Sequence, residues 1–330
     1  MTKSSQYVKI SPLIYFNFIP LSRSESVSKG FIDNWWAANF EHPPLVGMLV
    51  DKVGKKIITH VPMKDGEVQE LGDFVLDGVT FPAAEIKLEF LDLGASDEET
   101  GGVSMFPTGN PIDILDIFGV GEVGATLINA GNPAIFISAV NGLTGTELQG
   151  DINSNGELLK QFEAIRAHGA VGMGVAESVE FAMSKRQHTP KIAFFAEATG
   201  YNTSDGKKIS DEDIDILARI LSMGKLHHAM TGTGAVAIAA AAAIPGTIVS
   251  RILRETMSEI CFSHPSGSLK VGAEAEQEDG GWVVKKVVMS RSARKLMEGS
   301  VLIPNVIDNL GEKRISISEQ NRGLSKHKLR

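Results

Sequence analysis

Between Leu45 and Leu93 the apolar residues come in short runs cut by glycine and proline: GMLVD, KKIITHVPM, GDFVLDGV and AEIKLEFLDL. Runs of this length with partial alternation predict strands. ATLINAGNPAIFISAV, residues 125–140, predicts strand, turn and strand, and KIAFFA and GWVVKKVVMSRSA predict two more. Helical spacing is rarer. Ser154 with Glu157 three residues on has the form of a capping box, and Leu158, Phe162 and Ile165 then share one face. Ser210 with Asp213 repeats the device, and Ile214, Leu217, Ala218 and Leu221 predict a second such helix ending at Gly224. The pattern as a whole predicts an α+β chain of many short, mostly antiparallel strands and few helices.

One stretch departs from both patterns. HHAMTGTGAVAIAAAAAIPGT, residues 227–247, runs from two histidines and a threonine–glycine cluster into ten apolar residues, Ala235 to Ile244. A helix apolar on every side must be buried on every side. It is too short for a bilayer, which needs ~20 residues, so protein must surround it. Its alanines keep it narrow, which suits enclosure by a curved sheet, and Pro245 and Gly246 end it. Its N-terminus then offers unpaired amides and a partial positive charge to an anion, with Gly232 and Gly234 allowing close approach. Thr231 or Thr233 could equally serve as an ordinary cap with nothing bound.

Composition narrows the function classes. The 330 residues carry a net charge of −8 with no basic stripe, which argues against nucleic acid as a partner. One cysteine, Cys261, excludes an intramolecular disulfide and any multi-cysteine metal site, and fits a reducing compartment. No apolar run has membrane-spanning length, and YVKISPLIYFNFIPL is broken by Pro12, Asn17 and Pro20, so it makes a poor signal peptide. The expected location is the cytoplasm, without nucleic acid or membrane as partner.

Several motifs invite chemistry and do not carry it. GVGEVG at 119–124 has the dinucleotide-binding letters, but a strand-like run follows it, so it predicts a turn. GTGAVA at 232–237 does open a helix, yet lacks a convincing preceding strand and an acidic residue at the ribose spacing. A nicotinamide-dependent dehydrogenase is therefore a remote alternative. His227 and His228 are adjacent and point apart on any regular element, and with His264 they form no zinc spacing. The expectation is no cofactor and no metal, with these histidines as secondary candidates for bonding substrate or backbone. Cys261 in EICFS reads as a buried hydrophobe rather than a nucleophile.

The segments FPTGNPIDIL, INAGNPAIFISA, LTGTELQ, KIAFFA, HHAMTGTGAVAIAAAAAIPGT, SHPSGSLKV and RSARKLMEGSVLIP resemble the 2-methylaconitate cis–trans isomerase family of PrpF type, in the family's order and spacing from Leu45 to Pro304. The resemblance implies a diaminopimelate-epimerase-like α+β fold of two lobes, each a curved, mostly antiparallel sheet wrapped around a central helix, with the Ala-rich stretch as the central helix of the complete lobe and the other lobe truncated. It also implies cofactor-independent proton transfer on an unsaturated di- or tricarboxylic acid of methylaconitate, aconitate or oxalomesaconate type. Carried over by motif, the substrate-binding candidates are Thr108 and Gly109 in PTGN, Asn132 in AGNP, Thr233, Gly234 and Ala235 at the helix mouth, and Ser266 and Gly267 in HPSG.

The family's GGTSKG-like opening, its catalytic lysine and its NCGN turn with a catalytic cysteine are not found; VSKG at 27–30 is a faint echo, and Lys55 and Lys56 match the strand after the missing helix. The catalytic residues are therefore unknown from sequence. The expected organisation is a divergent segment 1–44, a remnant of the N-terminal lobe at 45–103, one complete lobe at 104–304, and a charged flexible tail at 305–330. A truncated lobe would expose apolar sheet surface and favour self-association. Two functional readings follow: an isomerase with impaired turnover, or a non-catalytic remnant that binds a carboxylate or a protein.

Overall fold

The computed structural model describes residues 7–9, 36–38, 45–50, 56–65, 67–93, 104–139, 142–278, 281–294 and 300–302. The expected segment 1–44 and tail 305–330 therefore lie almost wholly outside the described residues. The chain divides into two compact units. In the first, residues 1–13 and 295–330, β1 (Tyr7–Lys9) pairs antiparallel with β19 (Ser300–Leu302).

The second unit, residues 14–294, holds β2 (Trp36–Ala38), β3 (Leu45–Val50), β4 (Lys56–Val61), the small pair β5 (Met63–Lys64) and β6 (Glu67–Val68), and β7 (Glu85–Leu93). There follow β8 (Asp113–Ile117), β9 (Gly121–Ala130), β10 (Asn132–Ser138) and the helices α1 (Gln149–Asn153), α2 (Gly156–Gly172) and α3 (Val179–Lys185). β11 (Lys191–Glu197), the pair β12 (Tyr201–Asn202) and β13 (Lys208–Ile209), β14 (Ile216–Ser222) and β15 (Lys225–Leu226) lead to α4 (Gly232–Ala243) and α5 (Ile248–Leu253). β16 (Glu259–His264), β17 (Gly267–Glu278) and β18 (Gly281–Ser292) complete the unit. Its main sheet runs β2-β3-β4-β7-β18-β17-β16-β14-β11-β10-β9-β8, with β15 attached to β14. All its pairings are antiparallel except β10 with β11 and β14 with β16.

Alternate residues of eight consecutive strands in this sheet meet in one core around α4. Ile128 and Ala130 come from β9, Ala134 and Phe136 from β10, Ala193 and Phe195 from β11, and Ile216, Ala218 and Ile220 from β14. Phe262, Val271, Val287 and Leu88 continue the row through β16, β17, β18 and β7. Because strand side chains alternate, one face this long can close round a helix only if the sheet curves. Gly234 to Ala242 are all buried, as an all-apolar helix requires. The reverse face of β9, β10, β11 and β14 packs Leu127, Ile135, Ile192, Phe194 and Leu221 against Leu158, Phe162 and Ile165 of α2. Strands covered on both faces read as near-continuous apolar runs, as in KIAFFA and ILARIL, where Lys191 and Arg219 are the only charged residues.

Two sequence expectations are corrected. The Ser210–Asp213 box forms, but it caps a single 3-10 turn, Asp211–Asp213. The apolar residues beyond it make β14, because a seven-residue run buried on both faces satisfies its backbone through neighbouring strands. Asn155, not Ser154, caps α2 by accepting the Leu158 amide at 3.1 Å; Ser154 ends α1. The predicted face Leu158, Phe162 and Ile165 is buried as drawn from the sequence.

Candidate functional site at the mouth of the buried helix

The chain enters α4 from the β14–β15 hairpin. The His227 amide donates to the Ile220 carbonyl at 2.9 Å, and the loop then runs through Met230 to the cap. Thr231 is that cap: its Oγ1 accepts the Gly234 amide at 3.2 Å, and the Ala235 amide closes the first helical bond on the Thr231 carbonyl. The amides of Gly232 and Thr233 take no bond from the described residues, and no acidic side chain lies in the first turn. The mouth thus keeps the Gly232 and Thr233 amides as free donors at the positive end of the helix, since the cap satisfies the Gly234 amide and the helical ladder begins with Ala235.

Gly234 and Ala235 are buried beneath this surface, so of the predicted mouth residues only Thr233 is partly open. A methyl at Gly234 would sit 2.6 Å from Thr231 Oγ1 and 2.7 Å from Ile220 Cδ1. The glycine therefore admits the cap and the sheet rather than a ligand. Asn132 opens β10 and is half-buried. Ala134 and Phe136 face α4, so Asn132, two residues earlier on the same strand, shares that face. The Gly131 turn before it approaches Val236 on the first turns of the helix.

Thr108 and Gly109 are placed differently. The Phe106–Gly109 turn closes by the Gly109 amide on the Phe106 carbonyl at 2.9 Å, and Thr108 Oγ1 donates to the Asp113 carboxylate at 2.7 Å. Asp113 pairs with Ala125, five residues along β9 from Ala130. That side chain is held in a turn some distance down the strand from the Asn132 end.

Ser266 and Gly267 form the β16–β17 hairpin beside the loop that precedes α4. The Ser266 hydroxyl donates to the His228 carbonyl at 2.7 Å and lies 2.9 Å from His228 Nε2, while its amide donates to His264 Nδ1 at 3.2 Å. Two of the three candidate histidines therefore meet, at Ser266. His227 turns away, with Nδ1 2.6 Å from the Ala229 carbonyl. His264 is 2 % exposed, and burial pushes its pKa down to about 4, so the ring is neutral. Among the described residues no group of three His, Cys, Asp or Glu side chains forms a metal cluster, and no helix is long and apolar enough to cross a membrane.

The hairpin is further covered by the turn after Leu76. The Asp77 carboxylate accepts the Ser268 amide at 2.9 Å and pairs with Lys207 at 2.8 Å. Tyr201 donates to the carbonyls of His264 and Gly267, and burial raises its phenol pKa. Beneath it, Arg219 is fully buried: Nε donates to the Glu147 carbonyl at 2.7 Å, Nη1 to Ser263 Oγ at 3.0 Å, and the guanidinium lies over the Tyr201 ring. Cys261 sits with Tyr201, Ile209 and Leu217 on the sheet face away from α4, and burial raises its pKa. It is no nucleophile for the mouth.

Sequence reasoning missed Lys191, which opens β11 and is 5 % exposed. The signal available was a charged residue heading an otherwise apolar strand. Asp77, Tyr201 and Arg219 were also missed, because only tertiary pairing brings them to the hairpin.

A curved sheet closed round an alanine helix, with that helix's free amides at one end, is one lobe of the diaminopimelate-epimerase-like fold. The family model described as PrpF protein matches residues 41–304, and the chain belongs to the PrpF family. It is 58% identical over 254 residues to a 2-methyl-aconitate isomerase of Shewanella oneidensis, covering 76% of this chain and 64% of that protein. A 2-methyl-aconitate isomerase of Cupriavidus necator is 53% identical over 283 residues, covering 84% and 70%. The chain thus spans under two thirds of the Shewanella relative's length. A crystal structure of methylitaconate-delta-isomerase superposes with a TM-score of 0.68 at 30% identity, over 82% of this chain and 70% of that one.

Proposed function

We propose that the chain is a cytoplasmic isomerase of unsaturated di- or tricarboxylic acids, working by cofactor-independent proton transfer, with residues 104–304 as its substrate-holding lobe. The observation that carries this reading is the pair of free amides at Gly232 and Thr233, on a helix whose whole body is buried. An enclosed helix end attracts anions more strongly than an exposed one, because little water competes. The relatives named 2-methyl-aconitate isomerase supply the substrate class. In such a reaction a base takes a proton from a carbon conjugated with a carboxylate, charge spreads into a dienolate, and a conjugate acid returns the proton to another carbon. Donors held at the carboxylate stabilise that charge as it develops.

A second reading rests on Cys261. The chain's only thiol lies on the face of the sheet away from α4 and cannot serve as acid or base at the mouth. That favours a lobe that binds a carboxylate without turnover on its own. Exposed Leu71, Val75 and Phe81 in the segment after β6 support self-association. Solvent deuterium incorporation into trans-aconitate or 2-methylaconitate, followed by proton NMR, separates the two readings. Exchange above the uncatalysed rate supports the isomerase; saturable binding without exchange supports the second reading.

A further inference from the structure

Lys191 takes no part in the hydrogen bonds that build the mouth of α4 or the β16–β17 hairpin, and its surroundings are unusual for a lysine. It is 5 % exposed, no described residue bonds or pairs with its ammonium, and burial alone moves its pKa down. With its stem buried and no protein partner, the ammonium has its three donors left for water or a ligand at the tip of the side chain.

The register shows where the side chain stands. Ala193 and Phe195 of β11 face α4, while Ile192 and Phe194 face α2, so Lys191 is on the α4 side. Its Cα partner on β10 is Ala134, two residues from Asn132 on the same face. Across the other edge, Ala193 pairs with Ile220, the residue that packs on Gly234 in the first turn of α4. Lys191 is one pleat further toward the end where the loop 227–231 enters the helix. One pleat is about 6.6 Å, comparable to the reach of a lysine side chain. Lys191, Asn132 and the free amides of Gly232 and Thr233 therefore share one end of the sheet and one face of it.

We propose that Lys191 is the cation of this site, pairing with one carboxylate of the bound acid while the first amides of α4 and Asn132 receive another. This rests on the reading of the mouth as a carboxylate site and adds a substrate-binding residue to it. A single carboxylate needs only the helix end. A lysine displaced from that end along the sheet selects acids with two or more carboxylates. Carboxylate binding also gives the unpartnered ammonium a charged acceptor in place of water.

Tricarballylate, a saturated tricarboxylate that cannot be isomerised, is the probe, titrated into the full chain by calorimetry at low ionic strength. Lys191→Met keeps the stem and removes the charge. The expected result is at least a tenfold loss of affinity in K191M, with an unliganded melting temperature equal to or above that of the parent. Lys191→Arg should retain more affinity than K191M. Binding by K191M within twofold of the parent overturns the role of Lys191 and leaves the mouth as a carboxylate site. Failure of the parent itself to bind tricarballylate overturns both. Loss of binding in K191M together with absent proton exchange in the parent sustains Lys191 and removes only turnover. Should K191M not fold, the parent reductively methylated with 13C serves instead: the Lys191 resonance should shift on adding tricarballylate, and an unmoved resonance overturns the proposal.

Discussion

The Cα of Gly267 faces the carboxylate of Asp77, 190 residues earlier in the chain, with no room for a methyl group between them. Gly267 also has φ +141°, a conformation that side chains other than hydrogen rarely adopt. The turn after Leu76 is thereby fastened to the hairpin that holds Ser266, and the Ser268 amide completes the attachment. Gly267→Ala should cost about 3 kcal/mol or more, from backbone strain and collision together. Urea unfolding measures the loss. Because the Asp77 Cβ itself would lie 2.4 Å from the new methyl, only Asp77→Gly clears the space: in a double-mutant cycle it should recover the collision part and leave the strain, so strict additivity is the outcome that contradicts a collision.

Much of the fold was legible because burial writes itself into local pattern. The run Ala235–Ile244 could only be an enclosed helix, and α4 is one from Gly232 to Ala243. The stretch Ile214–Leu221 misled, because spacing 214, 217, 218, 221 fits a helix face and a genuine capping box precedes it. A strand buried on both faces has no polar phase, so its period is erased. At the site, the helix mouth was readable and its neighbours were not. Lys191 gains meaning only from its register with Ala134, and Asp77 only from its pairing with Ser268. Ser266 in the HPSG turn is a substrate candidate by motif alone; in the structure its hydroxyl donates to the His228 carbonyl and lies beside His228 Nε2.

The Thr231 cap makes a prediction that separates stability from binding. Thr231→Ala removes the acceptor of the Gly234 amide, and should lower stability by about 1 kcal/mol, while Thr231→Ser should restore most of it. Tricarballylate affinity should not fall in T231A, since the released amide adds to those already free. A large loss of affinity with unchanged stability would instead place the hydroxyl on the ligand.

Arg219 ties three elements together from inside the sheet, through the Glu147 carbonyl, Ser263 Oγ and the ring of Tyr201. Desolvation lowers its pKa to about 10, and it remains charged at neutral pH. A lysine carries the charge but neither the planar fork nor the stacking surface. Arg219→Lys should therefore destabilise by about 3 kcal/mol, measured by chemical unfolding at pH 7. Arg219→Met, which removes the buried charge, should be the less damaging of the two. The reverse order would show that charge rather than geometry matters there.

His264 predicts a pH dependence whose sign is fixed by its burial. Its pKa is about 4 when folded, against an ordinary value of 6.5. Between those values the unfolded chain binds a proton at this ring and the folded chain does not, so stability rises with pH across the interval. Above pH 6.5 the ring is neutral in both states and adds no slope; below pH 4 it is protonated in both, and the loss is complete. The whole step is roughly 3 kcal/mol. His264→Asn keeps an acceptor for the Ser266 amide, which the ring receives on Nδ1, and cannot titrate. Unfolding free energies of the parent and H264N, measured from pH 4.5 to 7.5, should therefore converge toward acid, with the parent losing more on the way down. Carboxylates titrate in both proteins and cancel in the difference. A constant difference across that range would mean that the ring takes up its proton in place, and that the hairpin opens to water more readily than its packing against Asp77 and Tyr201 implies.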